Sequence, residues 1–431
     1  MLRYDYKNML SSTVGLYGST SQNLNKLRPR LSQAKQAVLE LAKTNEQGWL
    51  KSPDDQVMLK RIQTMAREKK FVKNCLVIGI GGSDLATRAL YQALGHANKG
   101  VKLYFAGSNT DPDELFAALK SLDLKHTLIN IVSKSGNTVE PMLCFFTVLR
   151  ALKKTVGKNY AQHIVATTDA KNGALRELAE KYRWSALPVP ANVGGRFSAL
   201  TDVSLFPLAL ARVDIGGLLH GAKNQRDEFV SQAVSHNAPA LFAALQYLAY
   251  TVHSQKIQVL MPYAQRLHQF GFWYRQLWAE SLGKRVGRNN RVVKIGPTPI
   301  AALGATDQHS QVQLYNEGPH DKTVTFIEVE KFEHDLEAAP ELNEIPGLAY
   351  LVGKKFSQII QIERLATALA LNQNNRPNGT IFLPQVNAEH MGGLIMFFEL
   401  AAAISGELYD INAYDQPGVE AGKRAMHDLM R

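Results

Sequence analysis

Gln276 and Glu280 stand four residues apart in the stretch FGFWYRQLWAESLGK. In a helix that spacing puts both polar side chains on one face, while Trp273 and Leu277 help cover another. A carboxylate among apolar neighbours is suited to take up and return a proton, the work of a general base and acid. The other reading is a solvated glutamate at a helix end, paired with Lys284.

Two turns further back are built to hold an anion. GIGGSD (Gly79 to Asp84) leaves an apolar run through three glycines and enters a helix at Ser83, offering backbone N–H groups and a hydroxyl. SKSGNT (Ser133 to Thr138) offers the hydroxyls of Ser133, Ser135 and Thr138, one glycine and Lys134. Glycines also serve close helix and strand packing, and a hydroxyl cluster also serves helix capping. Asp84 stands where a GxGxxG fingerprint needs its third glycine, and no GxxxxGK[ST] occurs. A monophosphate therefore fits better than a dinucleotide or a nucleoside triphosphate.

Three more residues could carry chemistry. Arg196 follows two glycines in GGRFSAL, where a fixed guanidinium would stabilise a developing oxyanion. His309 lies in the loop GATDQHS and Lys423 one turn into a last helix, at the end of DQPGVEAGK. Taken singly, each of these two also reads as an ordinary surface or hydrogen-bonded residue.

These groups need a frame. Residues up to about Lys70 read as helical. From Cys75, short apolar runs alternate with helical periods: LVIGI then DLATRALYQAL, VKLYFAG then DPDELFAALKSL, TLINIVS then TVEPMLCFFTVLRAL, HIVATTD then GALRELAEKY. Four strand-then-helix units predict a parallel sheet with helices on both faces, doubly wound through right-handed crossovers. A second series follows SLFPLALARVDIGG, with KIQVLMPYA, TVTFIEVE and GTIFLPQV as strands between helices. The expected organisation is a helical segment over 1–70, α/β domains over 71–215 and 216–400, and a helical tail over 401–431 carrying Lys423. Ligands in open α/β sheets bind beyond the carboxyl ends of strands, where both anion-holding turns fall.

The chain has 431 residues, 45% hydrophobic and 20% charged, as expected for a globular protein of two or three compact units. Its net charge of +11 is dispersed, which favours attraction of small anions over a nucleic-acid surface. Cys75 and Cys144, the only cysteines, lie in apolar runs and build no disulfide framework, which suits a reducing compartment. The N-terminus lacks the apolar core of a signal peptide, and the run MGGLIMFF is followed by Glu399, so a cytoplasmic protein without a membrane span is expected.

In that order, GIGGSD, SKSGNTVEP, GGRFSALTDVSLFPLAL, QLWAESLGK, GATDQHSQVQLY and DQPGVEAGK resemble the signatures of the phosphoglucose isomerase family, from about Cys75 to Lys423. The resemblance implies two sugar-isomerase (SIS-type) domains and reversible isomerisation of glucose 6-phosphate to fructose 6-phosphate by ring opening and a cis-enediolate. It matches Glu280 to the proton-shuttling glutamate with Gln276 as its partner, Arg196 to the arginine at the enediolate, and His309 and Lys423 to the ring-opening pair. Ser133, Lys134, Ser135 and Thr138 match the phosphate turn, Gly82 and Ser83 lie beside the sugar, and Gln416 lies near the phosphate. No metal or organic cofactor is implied. A homodimer with shared sites is, because in the family the histidine comes from the neighbouring subunit.

Three positions depart from the common pattern: Asn137 in place of a threonine, Pro141 in place of a hydroxyl, and Leu282 in place of an asparagine. Two other enzyme and binding roles share these residues. Activity on mannose 6-phosphate would mark a dual isomerase, and ligand binding without turnover would mark a phosphosugar-binding regulator.

Overall fold

The computed structural model describes residues 2–95, 100–342 and 344–430. Twelve strands occur among them: β1 (Arg3–Asp5), β2 (Asn74–Ile78), β3 (Lys102–Ala106), β4 (Thr127–Val132), β5 (Ile164–Asp169), β6 (Ser185–Val189), β7 (Ile257–Pro262), β8 (Lys284–Val286), β9 (Val292–Ile295), β10 (Thr298–Ala301), β11 (Lys322–Lys331) and β12 (Asn378–Gln385). They belong to two compact units, one spanning Glu40–Asn224 and one made of Met1–Leu39 with Gln225–Arg431.

The Glu40–Asn224 unit holds a parallel sheet in the order β3-β2-β4-β5-β6. Every residue of β4 is buried, as expected for a central strand covered on both faces. Ile129, Ile131 and Ile164 pack with Phe145, Val148 and Leu152 of the Val139–Val156 helix and with Leu175 and Ala179 of the Ala174–Tyr182 helix. Strand order reverses between β2 and β4, so the turns that follow these two neighbours leave the sheet at its switch point. Those turns are GIGGSD and SKSGNT.

The second unit carries β1-β12-β11-β7-β10, parallel except for β1, which runs antiparallel along the edge of β12 with Arg3 opposite Phe382. The helices Ala238–Thr251, His268–Leu282 and Ala388–Tyr409 meet through Phe242, Phe270, Tyr274, Trp278, Phe397 and Phe398. Among the described residues, Ala388–Tyr409 is the one helix long and apolar enough to cross a membrane, and 94% of its apolar window is buried inside the unit. It is the core helix of this unit, and Glu399 lies within it, 1% exposed.

Five strands were not legible as such. The N-terminal segment, read as helical, also supplies β1, three residues whose only sheet partner is β12. β6 contains Pro188 and sits at a sheet edge, where a missing N–H is tolerated. β8, β9 and β10 are each three or four residues long, too short to show a period.

Candidate active site

In the Glu40–Asn224 unit, β2 ends in a tight 3-10 turn, Gly81–Ser83, with Gly81 at φ +59°. Gly82 is glycine for a different reason. A Cβ there would lie 2.2 Å from the carbonyl carbon of Gly195, so the backbone of GIGGS and that of GGRF touch directly. Ser198 Oγ holds the contact, donating to Gly195 O at 2.7 Å with Gly82 O at 3.3 Å. Arg196, in the 3-10 turn Gly195–Phe197, is 3% exposed, and Phe197 packs on Trp49 with ring centroids 5.2 Å apart. Next to Ser83, Asp84 is buried and accepts from Arg88 Nε at 2.6 Å. Burial pushes its carboxyl up, and Arg88 opposes that rise.

SKSGNT follows β4. Gly136 sits at φ +72°, and a Cβ added there would lie 2.3 Å from Leu175 N, so a side chain is excluded twice, by conformation and by space. The buried Ser133 Oγ accepts from Gly136 N at 3.1 Å, and the exposed Ser135 Oγ accepts from Asn137 N at 3.3 Å. Thr138 is the N-cap residue of Val139–Val156, yet its hydroxyl makes no capping bond. The turn thus presents hydroxyl donors at the positive end of an 18-residue helix, as an anion site requires.

Lys134 extends from this turn toward a neighbouring loop. Its Nζ donates to Ala191 O at 2.8 Å and Val193 O at 3.1 Å, on the segment leading to Arg196. Burial pushes the ammonium below the ordinary lysine value, while Asp169 holds it up.

The second unit holds the remaining candidates. In the His268–Leu282 helix, Trp273, Tyr274, Leu277 and Trp278 are buried, while Gln276 and Glu280 are half-buried on another face. Gln276 Nε2 donates to Glu280 Oε1 at 3.3 Å. Lys284 donates to the main-chain oxygen of Glu280 at 2.7 Å and to that of Asp415, and pairs with the Asp415 carboxylate at 3.1 Å. It therefore ties the helix end to the segment containing Gln416, a cation on terminal carbonyls.

His309 ends the 3-10 turn Thr306–His309, after a cis peptide at Gly304–Ala305. The turn is anchored by its neighbour: the two N–H groups of Gln308 Nε2 are shared among Thr367 Oγ1 at 2.6 Å, Tyr263 Oη at 2.7 Å and Glu363 O at 3.0 Å. His309 itself is exposed, and among the described residues its ring makes no hydrogen bond. Lys423, on the Glu420–Leu429 helix, is exposed and pairs with Glu420 at 2.8 Å. Gln416 is exposed at the start of the Pro417–Val419 turn.

Within the first unit, then, Gly82 and Ser83 meet the Arg196 loop, and the SKSGNT turn meets it through Lys134. Within the second, Gln276 meets Glu280, and Lys284 relates them to the Gln416 segment. His309 and Lys423 are exposed on that unit. The sequence reading passed over Ser198, Gln308 and Asp415. Each lies within two residues of a candidate, and adjacency was the one signal available for them. Among the described residues, no group of three or more His, Cys, Asp or Glu side chains is placed to hold a metal ion.

Comparison with known proteins adds a third line. The family model described as phosphoglucose isomerase matches residues 55–431. The chain is 36% identical over 440 residues to a glucose-6-phosphate isomerase of Carboxydothermus hydrogenoformans, covering 100% of this chain and 94% of the relative. It is 37% identical over 437 residues to the enzyme of that name from Rubrobacter xylanophilus, covering 99% and 97%. Among solved structures, a hypothetical protein from Thermus thermophilus superposes with a TM-score of 0.90 at 34% identity over 100% of both chains. A glucose-6-phosphate isomerase from Chlamydia trachomatis gives 0.77 at 26% identity, over 86% of this chain and 72% of that one.

Proposed function

The chain belongs to the phosphoglucose isomerase family, whose reaction is the reversible isomerisation of glucose 6-phosphate and fructose 6-phosphate in glycolysis and gluconeogenesis, and we propose how its residues divide that work. Moving a proton between adjacent carbons needs one base that keeps the proton it removes. Glu280 takes that role, oriented by Gln276. The observation that carries this reading is the 3.3 Å bond between them, on a half-buried helix face.

The intermediate is a cis-enediolate, and its negative oxygen needs a cation that stays charged. Arg196 suits this, since a guanidinium remains protonated even when 3% exposed. Ser133, Ser135 and Thr138 with the helix N-terminus behind them hold the phosphate, and Gly82 and Ser83 lie beside the sugar. Opening the cyclic hemiacetal needs an acid and a base on different oxygens, the part of His309 with Lys423. Gln416 contacts the substrate near the phosphate.

We further propose a homodimer in which His309 serves the partner subunit's site, supported by its exposure and its unengaged ring. A cytoplasmic setting is supported by two free, buried thiols, Cys75 and Cys144.

The test is NADPH formation from fructose 6-phosphate coupled to glucose-6-phosphate dehydrogenase, with and without EDTA. Chelator-insensitive turnover should fall by about two to four decades in Glu280→Gln. Undiminished turnover in a folded Glu280→Gln protein would remove Glu280 from the proton transfer.

A further inference from the structure

We propose that Lys134 is a positioning residue for Arg196 rather than a ligand of the substrate's phosphate, a step that rests on the reading of Arg196 given above. The argument is geometric. The Lys134 ammonium reaches across to the 190–193 segment and donates to Ala191 O at 2.8 Å and Val193 O at 3.1 Å, committing two of its three N–H groups to main-chain oxygens. Val193 is three residues before Arg196, and Gly194 and Gly195 between them have no side chains to fix the backbone.

Other bonds hold that segment at its ends. Val193 N closes a turn on Pro190 O at 3.2 Å, and the exchange between Asn192 and residues 45 and 48 fixes the outer side (Asn192 Nδ2 to Asn45 O at 2.9 Å, Gly48 N to Asn192 O at 3.0 Å). Downstream, Gly195 rests on Gly82 and is fixed by Ser198 Oγ. Lys134 supplies the inner tie, and it starts from the phosphate turn itself.

The base of Lys134 is equally fixed. Its own carbonyl accepts from Asp169 N at 3.2 Å and from Thr168 Oγ1 at 3.2 Å, at the end of β5. A rigid backbone on one side and a two-pronged ammonium on the other make Lys134 a strut between the anion-holding turn and the oxyanion-stabilising loop. Burial, which lowers the Lys134 ammonium from its ordinary value, is the environment expected of a lysine serving the protein rather than solvent. The phosphate would then be held by the hydroxyls and N–H groups of the turn.

A strut and a ligand respond differently to removal. Losing a phosphate ligand weakens ground state and transition state alike and raises KM, whereas misplacing Arg196 weakens only the transition state and lowers kcat. A displacement of about 1 Å in such a group costs on the order of a hundredfold in rate.

The experiment compares the wild type with Lys134→Met, Lys134→Arg, Arg196→Met and the double variant Lys134→Met/Arg196→Met. It measures kcat and KM for fructose 6-phosphate and the competitive inhibition constant of inorganic phosphate. We expect Lys134→Met to lower kcat by roughly ten- to a hundredfold with the inhibition constant of phosphate changed less than about threefold. Lys134→Arg, which keeps donors for both carbonyls, should recover part of the loss. In the Arg196→Met background, Lys134→Met should cost almost nothing further, because coupled residues are not additive. If Lys134→Met does not fold, the Lys134→Arg and Lys134→Gln variants provide the same comparison.

A rise of about tenfold or more in the inhibition constant of phosphate at unchanged kcat would make Lys134 a phosphate ligand and overturn the inference. So would losses from Lys134→Met and Arg196→Met that multiply in the double variant. Unchanged kcat in Arg196→Met would instead sink the reading of Arg196, and the strut with it.

Discussion

A Cβ placed on Gly82 would lie 2.2 Å from the carbonyl carbon and 2.4 Å from the carbonyl oxygen of Gly195, the residue before Arg196. Neither contact can relax by rotating a side chain, because both partners are backbone. Gly82→Ala must therefore push one of the two turns away. We expect kcat on fructose 6-phosphate to fall by about two decades, with a loss of about 1 to 3 kcal/mol in stability from overpacking. Gly422→Ala, where nothing lies within 4 Å of the added Cβ, should leave thermal stability unchanged or slightly raised. Wild-type turnover in Gly82→Ala would show that the turns can separate without harm.

Sharing of His309 between subunits is open to a mixing experiment. Glu280→Gln and His309→Gln proteins, each nearly inactive, are unfolded, combined and refolded together. If the histidine acts in the partner's site, each mixed dimer holds one intact site and one doubly altered site, and activity should recover to about a quarter of the wild-type level. If both residues act within one subunit, no site is intact and the mixture stays inactive.

Glu399 lies inside the Ala388–Tyr409 helix, with both carboxylate oxygens buried and, among the described residues, without a hydrogen-bond partner. Burial pushes its carboxyl well above the ordinary range, so the folded protein keeps it protonated. An unfolded glutamate ionises above about pH 4.3, so as pH rises past that value the unfolded state gains an ionisation that the folded state lacks, and stability falls. Glu399→Met should therefore be more stable than the wild type by about 1 to 3 kcal/mol at neutral pH and show a smaller advantage near about pH 4. Urea unfolding at the two pH values checks this, and an unstable Glu399→Met would point to a polar requirement at that position.

Asp202 and Arg61 form a two-pronged ion pair with bonds of 2.8 to 3.0 Å, in which Asp202 is the buried member. Burial raises the Asp202 carboxyl to about 6, with Arg61 opposing the rise. The folded state thus holds a proton between about pH 4 and 6 that the unfolded state has released. This group's contribution to stability declines as pH rises through that window and is level above it. Asp202→Asn should flatten the slope of the thermal midpoint over that range. Arg61→Met should lower the midpoint at every pH above it, at a cost of about 3 kcal/mol for a buried carboxylate left unpaired.

The alternation of apolar runs and helical periods from Cys75 to Tyr182 was enough to read a parallel sheet, because strands buried on both faces are written as near-continuous apolar runs such as TLINIV, broken only by Thr127 and Asn130. The Gln276–Glu280 pair was legible for a similar reason: a four-residue spacing on a helix fixes which side chains meet. What escaped depended on contacts between distant segments. β1 is a strand because β12 offers it an edge, Gly82 is a glycine because Gly195 passes it, and Lys134 turns to carbonyls far along the chain. The motif SKSGNT marked a turn at a helix N-terminus but not which groups the lysine's charge meets, since that depends on the neighbouring loop.

The pairing of Arg3 with Phe382 also sets an order of events during synthesis. Glu40–Asn224 is continuous in the chain, so its sheet can be completed while β11 and β12 have yet to leave the ribosome. β1 is made first and pairs last. Until β12 emerges, the nascent chain carries a strand with no edge to join, and the second unit cannot close its sheet before β12 has been made. The part built around Glu280 thus waits on the last strand, whereas the part that carries SKSGNT does not.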